Sequence, residues 1–197
     1  MRDIKKITKG QGKVNKHENG GTIGFSSRNF AIGKIHVAGN GRGITDISIG
    51  GNKQSFLRQL RDRHGHKAVI EAADYRAVFK ALDEYFKGKK TRFDLKVNLI
   101  GRPFALSIWK ALMKIPYGRT VSYEELALMA GHMGAQRAAG SACGRNPVPI
   151  IVPCHRVIRK DNGLGGYTGG LEIKKTLLEI EGVRKIPSFR KGGSGWI

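Results

Sequence analysis

No stretch limits how this chain can fold more than residues 146–156, NPVPIIVPCHR, with its three prolines. Each proline fixes its own φ, lacks an N–H and pushes the preceding residue toward extended backbone. Neither a regular helix nor a central strand can run through Pro147, Pro149 and Pro153. The segment therefore predicts a held, irregular path up to Cys154. A thiol beside an imidazole can become a nucleophile when a proton acceptor or a cation favours the thiolate. Cys154 and His155 are sequence neighbours, so their side chains diverge if the backbone is extended. Coupling between them would need a turn or a bridging water. Taken alone the pair stays ambiguous, because buried cysteine is ordinarily inert core.

Charge narrows what such a thiol would meet. Thirty-six Lys and Arg against fifteen Asp and Glu give a net charge of +21 and a pI near 10.4. That balance suits a polyanion partner, although charge that only keeps a protein soluble would look the same. Residues 1–20 and 183–197 read as basic tails, the first flexible, of net charge +4 each, which leaves about +13 between them. Two cysteines, Cys143 and Cys154, are too few for a disulfide framework, so the thiols are expected to stay free in a reducing compartment. No apolar run approaches membrane length and no signal-peptide core is present. The expected location is the cytoplasm (the nucleus in a eukaryote), with no membrane association.

Periodicity divides the remainder into a small α/β unit at 21–100 and a mainly helical unit at 101–182, an α+β class overall. Two β-like stretches between Phe30 and Ile49 flank the turn-rich AGNGRG, as in a hairpin. Tyr75, Val78, Phe79, Leu82, Tyr85 and Phe86 have helical spacing, predicting a helix over 71–86. Phe93, Leu95, Val97 and Leu99 alternate with polar residues and predict a strand. Pro103 suits a helix start, with Phe104, Ile108, Leu112 and Ile115 on one face. Ser122 and Glu125 have capping-box spacing and open a helix running to about residue 130. Gly131 and Gly134 bracket a turn, and a second helix follows over about 135–144. Two short helices about a tight turn fit helix-turn-helix geometry.

The run PCHRV, preceded by RNPVPIIV and followed by GYTGG and LLEIEG, resembles the active-site region of O6-alkylguanine-DNA alkyltransferases. PFALSIWKALMKIPYGRTVSYEELA resembles the same family's entry into its DNA-binding helices, so the likeness covers 103–182. The resemblance implies direct reversal of DNA damage: an O6-alkylguanine is flipped out of duplex DNA and its alkyl group passes irreversibly to Cys154. His155 would take the thiol proton through a water, Glu181 would orient the imidazole, and Asn146 would hold the network. Tyr123 would donate to the guanine ring as charge builds on it. The small residues Ala138, Gly140 and Ser141 would let the second helix approach the minor groove, with Arg137 entering the base stack. Base recognition would use the carbonyls of Cys154 and Val157 and the amide of Thr168, with Tyr167 lining the pocket. Thr168 stands where many relatives have Ser, and its β-branched side chain could narrow that pocket. Lys174 receives no role.

The histidines are scattered, the N-terminal Cys/His ligands of some relatives have no counterpart, and no phosphate-cradling loop occurs. Neither metal nor organic cofactor is expected, and the protein would act as a monomer. Three rivals compete with this reading: a non-catalytic lesion binder, a Cys-His-Glu hydrolase, and a basic structural nucleic-acid binder. Cys154 argues against the first, and net charge against the second.

Overall fold

A computed structural model describes residues 22–65, 68–71, 73–89 and 91–183 of the chain. Among them β1 (Thr22–Phe30), β2 (Gly33–Asn40) and β3 (Gly43–Ile49) form an antiparallel meander. β4 (Ala68–Glu71) pairs in parallel with β1, giving the sheet order β3-β2-β1-β4. The hairpin expected at AGNGRG is the β2–β3 turn. Gly43 follows it with φ of 136°, and a Cβ there would lie 2.5 Å from Lys96 O, so glycine is needed where the next segment docks.

Two helices cover this sheet. α1 (Lys53–His64) was not expected, because it buries only Phe56 and Leu60 and so shows little periodicity. Asn52 caps it, accepting from Ser55 N at 2.8 Å, and buried Asp46 on β3 pairs with Arg63 and His64 in its last turn. α2 (Arg76–Phe86) starts later than the predicted residue 71, which belongs to β4. Its buried face carries Val78, Phe79, Leu82 and Tyr85.

The strand predicted at 93–99 is absent. A single parallel bridge joins Val97 to Ile44, with Ile44 N donating to Lys96 O (2.9 Å) and Asn98 N to Ile44 O (2.8 Å). Phe93, Leu95, Val97 and Leu99 do pack on the core. Their alternation records one buried face, which an extended segment without a ladder shares with a strand.

In the C-terminal part, α3 (Pro103–Leu112) begins with Pro103 in its first turn and buries Ile108 and Leu112, while Ile115 is buried just past its end. The capping box opens α4 (Tyr123–Met129): Glu125 N donates to Ser122 Oγ (3.1 Å) and Ser122 N to Glu125 Oε2 (2.6 Å). Gly131 and Gly134, with φ of 81° and 77°, turn the chain into α5 (Gln136–Gly144), completing the helix-turn-helix. Trp109 Nε1 donates to Ala142 O at 2.9 Å and locks α5 to α3. Beyond the loop at 145–153, β5 (Val121–Ser122) pairs in parallel with β6 (Val157–Ile158), and α6 (Leu171–Ile180) closes the fold. The expected tails at 1–20 and 183–197 lie outside the described residues, apart from Val183. No helix among the described residues is long and apolar enough to cross a membrane.

Candidate active site

The Pro-rich segment takes the irregular path that its prolines demand. Asn146 organises it from within: Val148 N donates to Asn146 Oδ1 (3.1 Å), and Asn146 Nδ2 donates to Val152 O (2.7 Å). Ile150 has φ of 74°, an unfavourable value for a β-branched residue, and is fully buried. Pro147 O accepts from Ile47 N at 2.7 Å, so the edge of the N-terminal sheet holds the loop from outside. The path ends in a 3-10 turn, Cys154–Arg156, rather than in extended backbone.

Asn146 Nδ2 also donates to Cys154 Sγ at 3.1 Å. Burial raises the Cys154 pKa, while this hydrogen bond and the charge of Lys174 act against the rise. The resting thiol is therefore protonated and needs a base. His155 lies beside it, also fully buried, and its Nε2–H donates to Glu181 Oε1 at 2.8 Å. A carboxylate only accepts, so this contact places the ring proton on Nε2. The lone pair is left on Nδ1, which is buried and has no hydrogen-bond partner. Burial lowers the His155 pKa, so the imidazole is neutral at physiological pH. The geometry presents a thiol, a neutral imidazole with one free acceptor, and an orienting carboxylate.

Glu181 is the hub of the cluster. It caps the end of α6 and accepts five hydrogen bonds. Burial alone would raise its pKa, but hydrogen bonds from His155 and Arg156 outweigh that and hold it at about 2. Arg156 Nε and Nη2 reach Oε2 and Oε1 at 2.8 and 2.9 Å, and Arg156 Nη1 donates to Ile115 O at 2.6 Å. The remaining donors are Tyr85 Oη to Oε1 (2.8 Å) and Gly118 N to Oε2 (3.0 Å).

Tyr123, the first residue of α4, packs on the loop after β6: a Cβ at Gly165 would lie 2.7 Å from its hydroxyl, and Gly165 has φ of 66°. Burial pushes its pKa up to about 12, so the phenol keeps its proton. The Tyr167 hydroxyl is buried without a partner, a second unsatisfied polar atom in this region. Thr168 is exposed, and its hydroxyl donates to Gly144 O at 2.8 Å, tying it to the end of α5. On α5, Arg137, Ala138 and Ser141 are exposed, while Ala139 and Ala142 are buried. Gly140 sits over the Tyr123 ring, which a Cβ would meet at 3.6 Å.

Two family models match the chain: "6-O-methylguanine DNA methyltransferase, ribonuclease-like domain" over residues 24–99, and the DNA binding domain of the same description over 103–183. The methylated-DNA–protein-cysteine methyltransferase of Methanosarcina barkeri is 42% identical over 157 residues, covering 76% of this chain and 91% of that protein. The chain belongs to the O6-alkylguanine-DNA alkyltransferase family. It is a DNA-repair enzyme acting by alkyl transfer. The Mycobacterium bovis methylated-DNA–protein-cysteine methyltransferase is also 42% identical, over 81% of this chain and 92% of its own length. Among solved structures, Mycobacterium tuberculosis OGT in complex with DNA superposes with a TM-score of 0.70 at 39% identity, covering 80% of this chain and 92% of that one. The enzyme from Pyrococcus kodakaraensis gives 0.64 at 26% identity, over 81% and 99% of the two chains.

Three polar groups of this alkyltransferase went unread in its sequence. Arg156 and Tyr85 complete the Glu181 hub. Lys174 is fully buried, and its ammonium donates to Val157 O (2.6 Å) and to Leu164 O. Burial lowers its pKa to about 8, against the pull of both thiols. The Val157 carbonyl thus already accepts one hydrogen bond. A signal for Lys174 was present, since it shares a helical face with Leu171, Leu177 and Leu178. No group of three or more His, Cys, Asp or Glu that could hold a metal occurs among the described residues.

Proposed function

We propose that the chain repairs duplex DNA carrying O6-alkylguanine in a single turnover, flipping the base out and passing its alkyl group to Cys154. The observation that carries this reading is the free, buried Nδ1 of His155, on a ring whose other nitrogen is fixed by Glu181. The thiol proton passes to Nδ1 through one water, since no hydrogen bond joins Sγ to the ring. The thiolate attacks the alkyl carbon in line, an S–C bond forms, and the C–O6 bond breaks. The electron pair goes to the guanine, which takes the proton of the Tyr123 hydroxyl; the phenolate is balanced by the imidazolium of His155, and proton exchange with water returns both to neutral. The product is a thioether that nothing in the cluster can cleave. Asn146 holds Sγ in place, and the carbonyls of Cys154 and Val157 and the amide of Thr168 receive the base against Tyr167.

Arg137, Ala138, Gly140 and Ser141 form the groove-facing side of α5. Small side chains allow close approach, and Arg137 replaces the extruded base in the stack. The units 21–100 and 101–182 act as scaffold and working domain of a cytoplasmic monomer. The deciding experiment is to incubate the protein with a duplex carrying O6-methylguanine and weigh it intact. One added methyl, mapped to Cys154, supports the reading. Unchanged mass with tight binding would make the protein a lesion binder instead.

Two further outcomes are expected. Arg137→Ala should slow transfer from duplex DNA about ten-fold or more and leave reaction with free O6-benzylguanine nearly unchanged. Extruding a stacked base costs a few kcal/mol, which an inserted side chain offsets in part, and a free base needs no extrusion. Equal losses in single-turnover rates on both substrates would move Arg137 into the pocket or the fold. Affinity for undamaged duplex should fall steeply with salt through counterion release. Deleting 1–20 and 184–197 should shallow that slope without abolishing it, because about +13 of charge remains. Salt-independent binding by the shortened chain would contradict this.

A further inference from the structure

We propose that Tyr85, carried by α2 of the N-terminal part, is a positioning residue for alkyl transfer: its phenol fixes Glu181 and, through it, the imidazole beside Cys154. The inference rests on the function proposed above and assigns the N-terminal part a share in the chemistry, beyond that of a scaffold.

The contact is direct. Tyr85 Oη donates to Glu181 Oε1 at 2.8 Å, the same oxygen that receives His155 Nε2–H, and lies 3.4 Å from that nitrogen. The phenol has little freedom to do anything else. Its side chain is fully buried, and its ring packs against Phe86, Phe93 and Tyr117 at centroid distances of 5.5, 5.4 and 6.2 Å. Arg156 grips both carboxylate oxygens, so the tilt of the group, and with it the direction in which Nδ1 points, depends on the third donor at Oε1.

Electrostatics gives the phenol a second effect. Facing His155 are Glu181 at the end of α6, Lys174 within α6, Arg156 of its own turn, and Tyr85 from α2. Tyr117, from the turn after α3, stands behind Arg156 and Glu181. Of these, only Glu181 raises the proton affinity of the ring, and the Tyr85 O–H draws charge from the oxygen that does so. Without the phenol, Oε1 would hold a proton on the imidazole more strongly. A protonated imidazole cannot accept the thiol proton, so the acid limb of the rate–pH profile would move to higher pH.

The test uses the full chain and single-turnover rates across the pH range in which imidazole titrates. It compares a duplex carrying O6-methylguanine with free O6-benzylguanine. Tyr85→Phe should slow both substrates alike, about ten-fold, the effect of losing one hydrogen bond to a charged group. It should also shift the acid limb upward while leaving affinity for undamaged duplex unchanged. Phe93→Leu loosens the packing of the same ring but keeps the hydroxyl, so it should lower the melting temperature and leave the acid limb in place. A Phe variant that reacts as the wild type does, or one that loses stability with an unmoved acid limb, overturns the proposal. Should the wild-type chain itself take up no methyl group, the functional reading fails first. A wild type that takes up methyl and a Phe variant that equals it would sink only the role of Tyr85.

Discussion

Cys154→Ser should yield a protein that still binds duplex DNA and transfers nothing. The hydroxyl is close in size to the thiol and can take the same hydrogen bond from Asn146 Nδ2, now at 3.1 Å from sulfur. The fold around it should therefore stand. Reactivity should not. A hydroxyl gives up its proton far less readily than a thiol, and the neutral His155 is too weak a base to make up the difference. A loss of about a thousand-fold or more is expected, read by intact mass after incubation with O6-methylguanine duplex. Cys143→Ser should transfer as the wild type does. Cys143 is buried at the end of α5, burial pushes its pKa up strongly, and no imidazole accompanies it. Methyl uptake by the Cys154→Ser protein would mean that the acceptor has been misassigned.

Glu181→Ala should cost about 3–5 kcal/mol of stability, the range for removing one partner of a buried charge pair. The substitution strands Arg156 in the interior and leaves the Tyr85 hydroxyl and Gly118 N without their acceptor. Glu181→Gln keeps the shape and should lose less, although one side of its amide then meets donors with a donor. Urea unfolding of the three proteins measures the difference, and an alanine variant as stable as the wild type would refute the hub. The same carboxylate sets an acid limit. Its pKa in the fold is about 2, below the ordinary 4.5, so the unfolded chain binds the proton more tightly. Its contribution is complete above about pH 4.5 and is lost as pH falls toward 2.

The candidate site was legible where it is written in consecutive residues. Three prolines marked the irregular path up to the Cys-His pair, and the Ser122–Glu125 spacing placed the start of α4. What escaped notice lies across the fold. Tyr85 reads as one more apolar position on α2, since nothing local shows that its hydroxyl will meet a carboxylate 96 residues away. The hint was physical: a tyrosine on a buried helical face must find its O–H a partner. Arg156 gave a similar hint, as a cation within the apolar run VPCHRVI needs a buried anion. In a chain so rich in Lys and Arg, one more cation does not stand out. The 93–99 segment misled in the opposite sense, because alternation reports burial of one face and says nothing of whether a neighbouring strand exists.

The hub at Glu181 has a consequence for the order in which the molecule assembles. Its donors come from residues 96, 63, 26 and 25 positions earlier in the chain. Contacts of such span are slow to form, because each closes a long loop before any of its energy is recovered. Helices α2 to α5 can form from local contacts, but the imidazole gains its direction only when the end of α6 arrives among them. A newly made chain therefore reaches much of its helical content before His155 is fixed beside Cys154, and one stalled short of α6 leaves the imidazole without its carboxylate.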